Sequence, residues 1–423
     1  MTPDSRMSRR SLLAACGAGA TTSLAACAVG RPTPNWDRLD SLLAEAVAAK
    51  DAPFLVAAVS DRNKVVWQGA AGRASPNLKA NQDVVLHLYS ATKAIGSLAC
   101  LILVDRGKLS LDTRVVDVLP EFRSVQVLVS MGPTGPVYRA PSTPVTLRHL
   151  LTHTSGLAYS PWDAKESAWE AFSKTPPPNV GTLQGFTHPL MFDPGTDWTY
   201  GVGIDWAGFM VEKVDGRTID RFVREEIFEP LQMNDTMFET DTVARRLPAV
   251  KQRAADGGFT DAPFMVPPPR PQRYGMGQAC HGTAADYLKF TRLVLNDGMA
   301  NGRRILSANT MSFMKQNQIG PMRLPFPKKS SEPVISADLD LFPGLNIPLT
   351  HTAGFVRNEA DVPGMRRAGS LTWAGILNTH YWIDPSSGIA AFFSSQHIPF
   401  IEPRFQKIHA AFEKAVYREM RLA

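Results

Sequence analysis

Ser90 and Lys93 lie three residues apart, immediately before the apolar run 94–104. Such a run predicts a helix, and residues three apart on a helix share one face, so the amine of Lys93 can reach the hydroxyl of Ser90. A serine hydroxyl becomes a strong nucleophile only when a neighbouring base takes its proton. The pair therefore indicates acyl transfer through a covalent serine ester. A plain helix cap is the alternative role for Ser90.

The same spacing occurs a second time, at Ser312 and Lys315, so spacing alone is a weak signal. The second pair lies in an amphipathic stretch with polar neighbours, which predicts the surface of a helix. Ser90 has a different context, because it follows the strand-like segment 84–89 and opens an apolar helix. Its hydroxyl is expected at the positive end of that helix.

Five further motifs follow Ser90 along the chain. They are Leu-Leu-Thr-His-Thr-Ser-Gly-Leu at 150–157, Pro-Gly-Thr-Asp-Trp-Thr-Tyr-Gly at 194–201, Ile-Phe-Glu-Pro-Leu-Gln-Met at 227–233, Gly-Thr-Ala-Ala-Asp-Tyr at 282–287 and Gly-Ser-Leu-Thr-Trp-Ala-Gly at 369–375. In this order and spacing, from residue 36 to the C-terminus, the chain resembles the serine β-lactamase-like superfamily. Within that superfamily it resembles the family VIII carboxylesterases and the lovastatin-type acyltransferases.

The resemblance implies a role for each matching residue. Ser90 matches the nucleophile of the family, Lys93 its partner, and Tyr200 the tyrosine of the Tyr-x-Asn motif. One of Lys93 and Tyr200 would remove the proton of Ser90 and return it to the leaving alcohol, and which of the two does so stays open. The backbone N–H groups of Ser90 and Ile376 are implied to hold the oxyanion.

Two departures from the family pattern bear on the substrate. Trp373, Ala374 and Gly375 stand where relatives carry Lys-Thr-Gly, and Val202 stands where they carry the asparagine of the second motif. These four residues are the expected substrate-binding positions. A valine side chain cannot form a hydrogen bond, and a tryptophan cannot pair with a carboxylate. The resemblance therefore implies ester substrates rather than β-lactams, because the esterase and acyltransferase branches carry the same changes.

The favoured function is a carboxylesterase that cleaves small or medium uncharged carboxylic esters through an acyl-Ser90 intermediate, without a cofactor. Three alternatives stay open: an acyltransferase that uses the same acyl-enzyme, a β-lactamase or peptidoglycan DD-peptidase, and a non-catalytic, membrane-tethered binding protein. Tyr200 and Trp373 have plain core packing as their alternative roles. His153 is interpreted as a structural hydrogen-bonding residue, because the family uses no base at that position.

Several other classes of site are disfavoured. The nine histidines show no His-Glu-x-x-His spacing, so no metal site is predicted. A Gly-x-Ser-x-Gly elbow is absent from the sequence, which disfavours the α/β-hydrolase fold. The 45 basic residues are balanced by 39 acidic ones, without a long basic run, so no nucleic-acid partner is expected. Oligomeric state stays open, and so does a disulfide between Cys100 and Cys280.

The N-terminus predicts export. Arg9 and Arg10 begin a twin-arginine signal, and a mildly apolar stretch leads to a lipobox that ends at Cys27. Residues 1–27 are therefore expected to be an export signal and 28–34 a tether, with Cys27 lipidated. Simple cleavage after Ala28 is the alternative. The expected location is periplasmic or in the cell envelope, with a lipid anchor in the membrane.

Elements that could position these residues follow from hydrophobic periodicity. Strand patterns near both ends and helical patterns between about 109 and 310 predict one sheet built from both ends of the chain, with a helical part inserted into it. The individual predictions include a helix at 284–295, a hairpin of 378–383 and 389–394, and a closing amphipathic helix at 405–420. The resemblance implies an α/β fold of the β-lactamase/DD-peptidase type, an antiparallel sheet flanked by helices. Residues 35–89 and 311–423 would form the α/β domain, and 90–310 an inserted, mainly helical domain, with the site in the cleft between them. The long irregular stretch 319–365 is expected to be a lid or disordered.

Overall fold

The largest element of the fold is an antiparallel sheet of eight strands, seen in a computed structural model that describes residues 34–422. Its order is β13-β14-β15-β16-β17-β1-β2-β3. The strands of this sheet are β1 (Phe54–Asp61), β2 (Val65–Ser75), β3 (Leu78–Lys79), β13 (Leu349–His351), β14 (Val356–Asn358), β15 (Leu371–Gly375), β16 (Thr379–Asp384) and β17 (Ile389–Ser394).

Shorter strands form four small sheets. They are β4 (Leu86–His87), β7 (Thr236–Met237) and β10 (His281–Gly282); β5 (Val127–Gly132) and β6 (Gly135–Arg139); β8 (Lys251–Arg253), β9 (Phe259–Asp261) and β18 (His397–Ile398); and β11 (Met299–Ala300) and β12 (Arg303–Arg304).

Helices fill most of the chain between the two groups of large-sheet strands. They are α1 (Asp37–Ala48), α2 (Thr92–Asp105), α3 (Val115–Val118), α4 (Leu147–Leu151), α5 (Ala164–Ser173), α6 (Leu183–Phe186), α7 (Gly203–Asp215), α8 (Ile219–Val223), α9 (Glu229–Leu231), α10 (Ala284–Leu295), α11 (Ala308–Lys315) and α12 (Pro403–Glu419). A π-helical segment, Arg224–Phe228, joins α8 to α9.

The large sheet is built from both parts of the chain. Strand β1 pairs with β17 along six residue pairs, which joins residues 54–79 to residues 349–394. This arrangement confirms the predicted fold class, an antiparallel sheet flanked by helices with the helical part between its two strand groups. The proposed domain boundaries at residues 90 and 310 stay a prediction.

The two faces of the sheet pack on different cores because side chains alternate along a strand. In β1, Phe54 and Val56 belong to the main core, which also contains α2, α7 and α10. Leu55 and Ala57 belong to a second core, formed with α1 and α12. In β15, Trp373 faces the main core, so this residue and α2 lie on the same side of the sheet.

Helix α2 is the central helix of the main core. Every residue from Thr92 to Leu103 is buried, as expected for a helix that is apolar on all sides. Helix α7 packs closely against α2 at Gly96, because glycine has no side chain to keep the helices apart. A β-carbon at this position would lie 2.9 Å from Ile204. The start of α2 is thereby held between the sheet and α7.

Local patterns gave several element bounds and missed others. The helix predicted at 284–295, the hairpin of β16 and β17, and the closing helix α12 are confirmed. The strand expected at 84–89 is only β4, and it belongs to a small sheet. The stretch 319–365 is not wholly irregular, since β13 and β14 lie within it and extend the large sheet. The segment between residues 109 and 310 also contains the hairpin of β5 and β6.

Two remaining expectations concern the cysteines and the membrane. Cys100 and Cys280 are both buried and both free thiols. Across residues 34–422, no helix combines the length and apolar character needed to cross a bilayer. The predicted export signal, Cys27 and the tether up to residue 33 lie outside the described part of the chain.

Candidate active site

Ser90 lies in a tight turn that leads into α2. Residues Tyr89–Ala91 form a 3₁₀ turn, and Tyr89 has a φ of +45°, a left-handed conformation that is strained for a bulky side chain. The hydroxyl of Tyr89 donates a hydrogen bond to the carbonyl of Met265, which helps to hold this conformation. Ser90 itself is half-buried. The turn therefore presents its hydroxyl at the start of the buried helix.

Lys93 is almost fully buried, and its amine faces three oxygen atoms. Its Nζ lies 3.4 Å from Ser90 Oγ, 3.1 Å from the hydroxyl of Tyr159 and 2.9 Å from the carbonyl of Gly277. The predicted contact between Lys93 and Ser90 is therefore present. The amine is also fixed from two other directions, which limits the positions it can take.

Tyr200 contacts Lys93 through its ring face rather than through its hydroxyl. The Lys93 Nζ lies 4.8 Å from the centroid of the Tyr200 ring, within the range of a cation–π contact. The Tyr200 hydroxyl instead accepts a hydrogen bond of 3.0 Å from Nε1 of Trp373. The structure thus brings Ser90, Lys93, Tyr200 and Trp373 together from three separate segments of the chain.

The end of β15 lies directly against the turn that carries Ser90. A β-carbon on Gly375 would lie only 2.3 Å from the carbonyl oxygen of Leu88, so this position requires glycine. Ala374 and Trp373 precede it as buried strand residues, and Ile376 follows it as a partly buried residue packed near Tyr89. The backbone of Ile376 is thereby held close to the Ser90 turn, where an oxyanion-hole donor would be needed.

Val202, a predicted substrate-binding residue, has no exposed side-chain surface. Its side chain is fully buried in the main core at the start of α7, so it presents no accessible surface to a substrate. The preceding Gly201 lies against the backbone of Leu157, where a β-carbon would be 2.1 Å from the Leu157 carbonyl oxygen.

Tyr159 contributes to the site but was missed in the sequence. Its hydroxyl accepts the hydrogen bond from Lys93, and its ring packs 5.1 Å from that of Tyr200. Burial, and then the negative charge of Asp205, hold the pKa of Tyr159 well above 10, so it stays a neutral partner. Its position two residues after the motif at 150–157 is the feature of the sequence that could have identified it as a site residue.

Asp205 supports Lys93 indirectly and was also missed. This fully buried carboxylate accepts a hydrogen bond of 2.8 Å from the backbone N–H of Gly277, whose carbonyl accepts from Lys93. Burial raises the pKa of Asp205, while the nearby Lys93 opposes that shift. A β-carbon on Gly277 would lie 2.4 Å from the carboxylate. No local pattern in the sequence links residues 205 and 277.

Aromatic rings form the wall behind Tyr200. His153 lies 4.9 Å and Trp162 5.5 Å from its ring, between centroids. Burial holds the pKa of His153 well below 6.5, and His351 and Lys93 add to this, so its ring is neutral. Within residues 34–422 that ring makes aromatic contacts and no hydrogen bond, unlike the structural role expected for it.

Part of the stretch 319–365 packs on this wall. Trp162 Nε1 donates to Ser336 Oγ at 3.1 Å, and Lys328 Nζ donates to Thr199 Oγ1 at 3.2 Å. Pro161 accepts a backbone hydrogen bond from Ser331. These contacts place the segment 328–337 over the aromatic side of the site. It is therefore an ordered part of the site's surroundings.

Comparisons with known proteins show what the whole chain is similar to. The family model described as Beta-lactamase matches residues 39–415. The chain is 30% identical to the acyltransferase calJ of Penicillium decumbens, over 80% of this chain and 82% of the relative. It is also 30% identical to the lovastatin esterase of Penicillium rubens, over 80% and 86% of the two chains. Among solved structures, a mutant of simvastatin synthase from Aspergillus terreus superposes with a TM-score of 0.79 at 26% identity, over 91% and 95% of the chains.

Proposed function

The chain belongs to the beta-lactamase family, and on that basis we propose that it is a serine hydrolase that cleaves small or medium uncharged carboxylic esters. The observation that carries this proposal is the 3.4 Å contact between the buried amine of Lys93 and the hydroxyl of Ser90. A serine hydroxyl beside a buried amine and a phenol is suited to nucleophilic attack on a carbonyl carbon.

The proposed reaction has two halves. In the first, Ser90 Oγ bonds to the carbonyl carbon as Lys93 or Tyr200 takes its proton, and the carbonyl oxygen becomes an oxyanion held by the N–H groups of Ser90 and Ile376. The intermediate then collapses, the bond to the alcohol oxygen breaks, and the alcohol leaves with that proton. In the second half, water adds to the acyl-Ser90 carbon and gives up a proton to the same base. The bond between this carbon and Ser90 Oγ then breaks, the base returns the proton to Oγ, and the carboxylic acid is released.

The contacts of Trp373 support an uncharged substrate. Its indole N–H is already used by the Tyr200 hydroxyl, and an indole has no second donor. It therefore offers nothing to a substrate carboxylate at the position where β-lactam-binding relatives carry a lysine. Nitrocefin turnover as fast as ester turnover would instead favour the β-lactamase alternative.

Acyl transfer to another alcohol or amine is the second candidate. The names of two relatives, acyltransferase calJ and simvastatin synthase, favour it, and it needs the same acyl-enzyme. Product analysis separates the two reactions: p-nitrophenyl butyrate is supplied with and without a small alcohol such as butanol. Mostly butyric acid in both cases supports hydrolysis, whereas mostly butyl butyrate with the alcohol supports transfer.

A Ser90→Ala variant tests the proposal. We expect turnover of p-nitrophenyl butyrate to fall to background while the melting temperature stays near that of the wild type. Ser312→Ala is the matched control, because Ser312 belongs to the other Ser-x-x-Lys pair, on α11. Its activity should be unchanged. A Ser90→Ala protein that retains activity would refute the assignment, and a folded wild type inactive on all esters would favour the binding-protein alternative.

We also propose that the chain is exported and lipid-anchored through Cys27, on the strength of the twin-arginine and lipobox residues alone. Metabolic labelling with palmitate in a bacterial host tests this. Wild type should carry the label in the membrane fraction, and Cys27→Ala should not. A wild-type protein without the label would contradict the anchor.

A further inference from the structure

Three side chains with metal-ligand atoms meet beside α5. Glu166 and Glu170 lie one turn apart on this helix, and His188 comes from the loop after α6. His188 Nδ1 lies 2.5 Å from Oε1 of Glu166 and 3.7 Å from Oε1 of Glu170. Ligand atoms of all three residues lie within 4.8 Å of one another. None of the three hydrogen-bonds to Ser90, Lys93 or Tyr200, so the cluster is distinct from the ester site.

The orientation of His188 is fixed by its other ring nitrogen. Its Nε2 lies 2.9 Å from the carbonyl oxygen of Gly185, which can only accept a hydrogen bond. Nε2 therefore carries a hydrogen, and Nδ1 faces the two carboxylates. Trp169 packs on the same ring, with centroids 5.5 Å apart. A histidine that donates one N–H to a backbone carbonyl and turns the other nitrogen to carboxylates has the arrangement common to metal-binding histidines.

In the part of the chain that the structure describes, no lysine or arginine forms an ion pair with Glu166 or Glu170. Glu166 is fully buried, and its Oε2 has no hydrogen-bond partner among residues 34–422. The adjacent Lys165 is directed elsewhere, because its Nζ donates to the carbonyls of Leu128 and Met191. One oxygen of Glu166 is hydrogen-bonded to His188, and the other is buried without a partner, which is costly. A cation between the three side chains would satisfy it.

We propose that Glu166, Glu170 and His188 bind one divalent zinc ion, which ties α5 to the loop after α6. Zinc takes imidazole nitrogen and carboxylate oxygen at about 2.0–2.2 Å in a tetrahedral arrangement, which places ligand atoms roughly 3.4 Å apart. The present separations lie on either side of that value, so small side-chain shifts are enough. Calcium and magnesium prefer oxygen ligands alone, and the imidazole argues against them.

The three side chains would fill three of the four tetrahedral positions, and a water molecule would fill the fourth. The proposed role of the ion is to brace α5. Helix α5 begins shortly after Tyr159, the residue whose hydroxyl meets Lys93. A zinc bridge would hold α5 against the loop 186–191 and so stabilise the segment that carries Tyr159. This inference does not depend on the identity of the ester substrate.

Zinc titration of the full-length chain tests the proposal. The protein is stripped with EDTA, dialysed, and titrated with zinc chloride in the presence of a chromophoric chelator, and its melting temperature is followed in parallel. We expect one zinc ion per chain and a rise of several degrees in melting temperature, with no rise from calcium at the same concentration. Anomalous scattering at the zinc edge should place the ion among the three side chains.

Glu170→Gln is the deciding variant, because Glu170 is partly exposed and its loss should leave the metal-free fold intact. We expect its zinc affinity to fall about tenfold or more and its metal-dependent rise in melting temperature to vanish. Glu121→Gln removes an exposed carboxylate elsewhere and should bind zinc like the wild type. Absence of stoichiometric binding, or equal binding by wild type and Glu170→Gln, would show that a proton alone occupies the cluster. Because activity is not the readout, either result leaves the esterase proposal untouched.

Discussion

Gly375→Ala tests whether the end of β15 forms part of the oxyanion hole. A β-carbon at this position would lie 2.3 Å from the Leu88 carbonyl oxygen, about 1 Å closer than an ordinary carbon–oxygen contact. The Leu88 carbonyl also accepts the hydrogen bond from Ala91 that closes the turn around Ser90. The substitution must therefore push β15 away from this turn, or distort the turn, by about that distance.

The expected cost follows from that displacement. Moving the Ile376 N–H by about 1 Å relative to Ser90 takes one donor out of reach of the oxyanion. Loss of one such donor typically lowers kcat on the order of 10²-fold or more, which is about 2.7 kcal/mol of transition-state stabilisation. KM should change little, because the ground-state ester carbonyl depends less on these donors. The measurement is steady-state hydrolysis of p-nitrophenyl butyrate.

Gly132→Ala is the control for this experiment. Gly132 ends β5, away from Ser90, and a β-carbon there would meet its nearest atom at 3.3 Å. Its kcat and melting temperature should stay near those of the wild type. A Gly375→Ala enzyme that is folded and keeps kcat within threefold of the wild type would refute the assignment of Ile376 to the oxyanion hole.

Three further predictions concern the surroundings of Lys93. Tyr159→Phe removes one of the oxygen atoms that hold the Lys93 amine and should lower kcat about tenfold. Tyr138→Phe, on the exposed hairpin of β5 and β6, should leave kcat unchanged. Equal kcat values for the two variants would argue against a positioning role for Tyr159. Trp373→Phe should lower kcat about fivefold by releasing the Tyr200 hydroxyl, and the loss should disappear in a Tyr200→Phe background; additive losses would contradict this coupling. Burial lowers the pKa of His351 from 6.5 to about 4 in the folded protein. As pH falls from 6.5 towards 4, the unfolded chain therefore binds a proton at this position before the folded protein does, and the free energy of unfolding decreases. Urea unfolding should therefore show wild type losing about 2 kcal/mol more than His351→Asn between pH 6.5 and 5, and parallel losses would disprove it.

Local periodicity predicted those elements whose residues carry their own signal. The hairpin of β16 and β17 consists of two fully buried strands around a turn, and the helix α10 repeats apolar residues at helical spacing. Strands β13 and β14 could not be predicted in this way. Each has only three residues; β14 pairs with the free edge of β15, and β13 pairs with β14. That edge is a property of the folded sheet and not of the local sequence.

The candidate site could likewise be predicted only where local sequence sets the distance between residues. Ser90 and Lys93 were recognisable because one helical turn sets their separation. The acceptors of the Lys93 amine were not, since Tyr159 and Gly277 lie far from it in the chain. Their positions depend on hydrogen bonds from their backbone N–H groups to Tyr200 and Asp205, which are also distant in sequence. Trp373 was identified as a site residue, but its hydrogen bond to Tyr200 depends on the relative position of β15 and the loop before α7.

Trapping the covalent intermediate tests the central claim most directly. Purified protein is treated with a fluorophosphonate probe, digested, and the modified peptide is identified by mass spectrometry. The account predicts stoichiometric labelling of Ser90, none on Ser312, and none in the Ser90→Ala protein. An active enzyme that carries the probe on a different serine, or that takes up no probe at all, would contradict it.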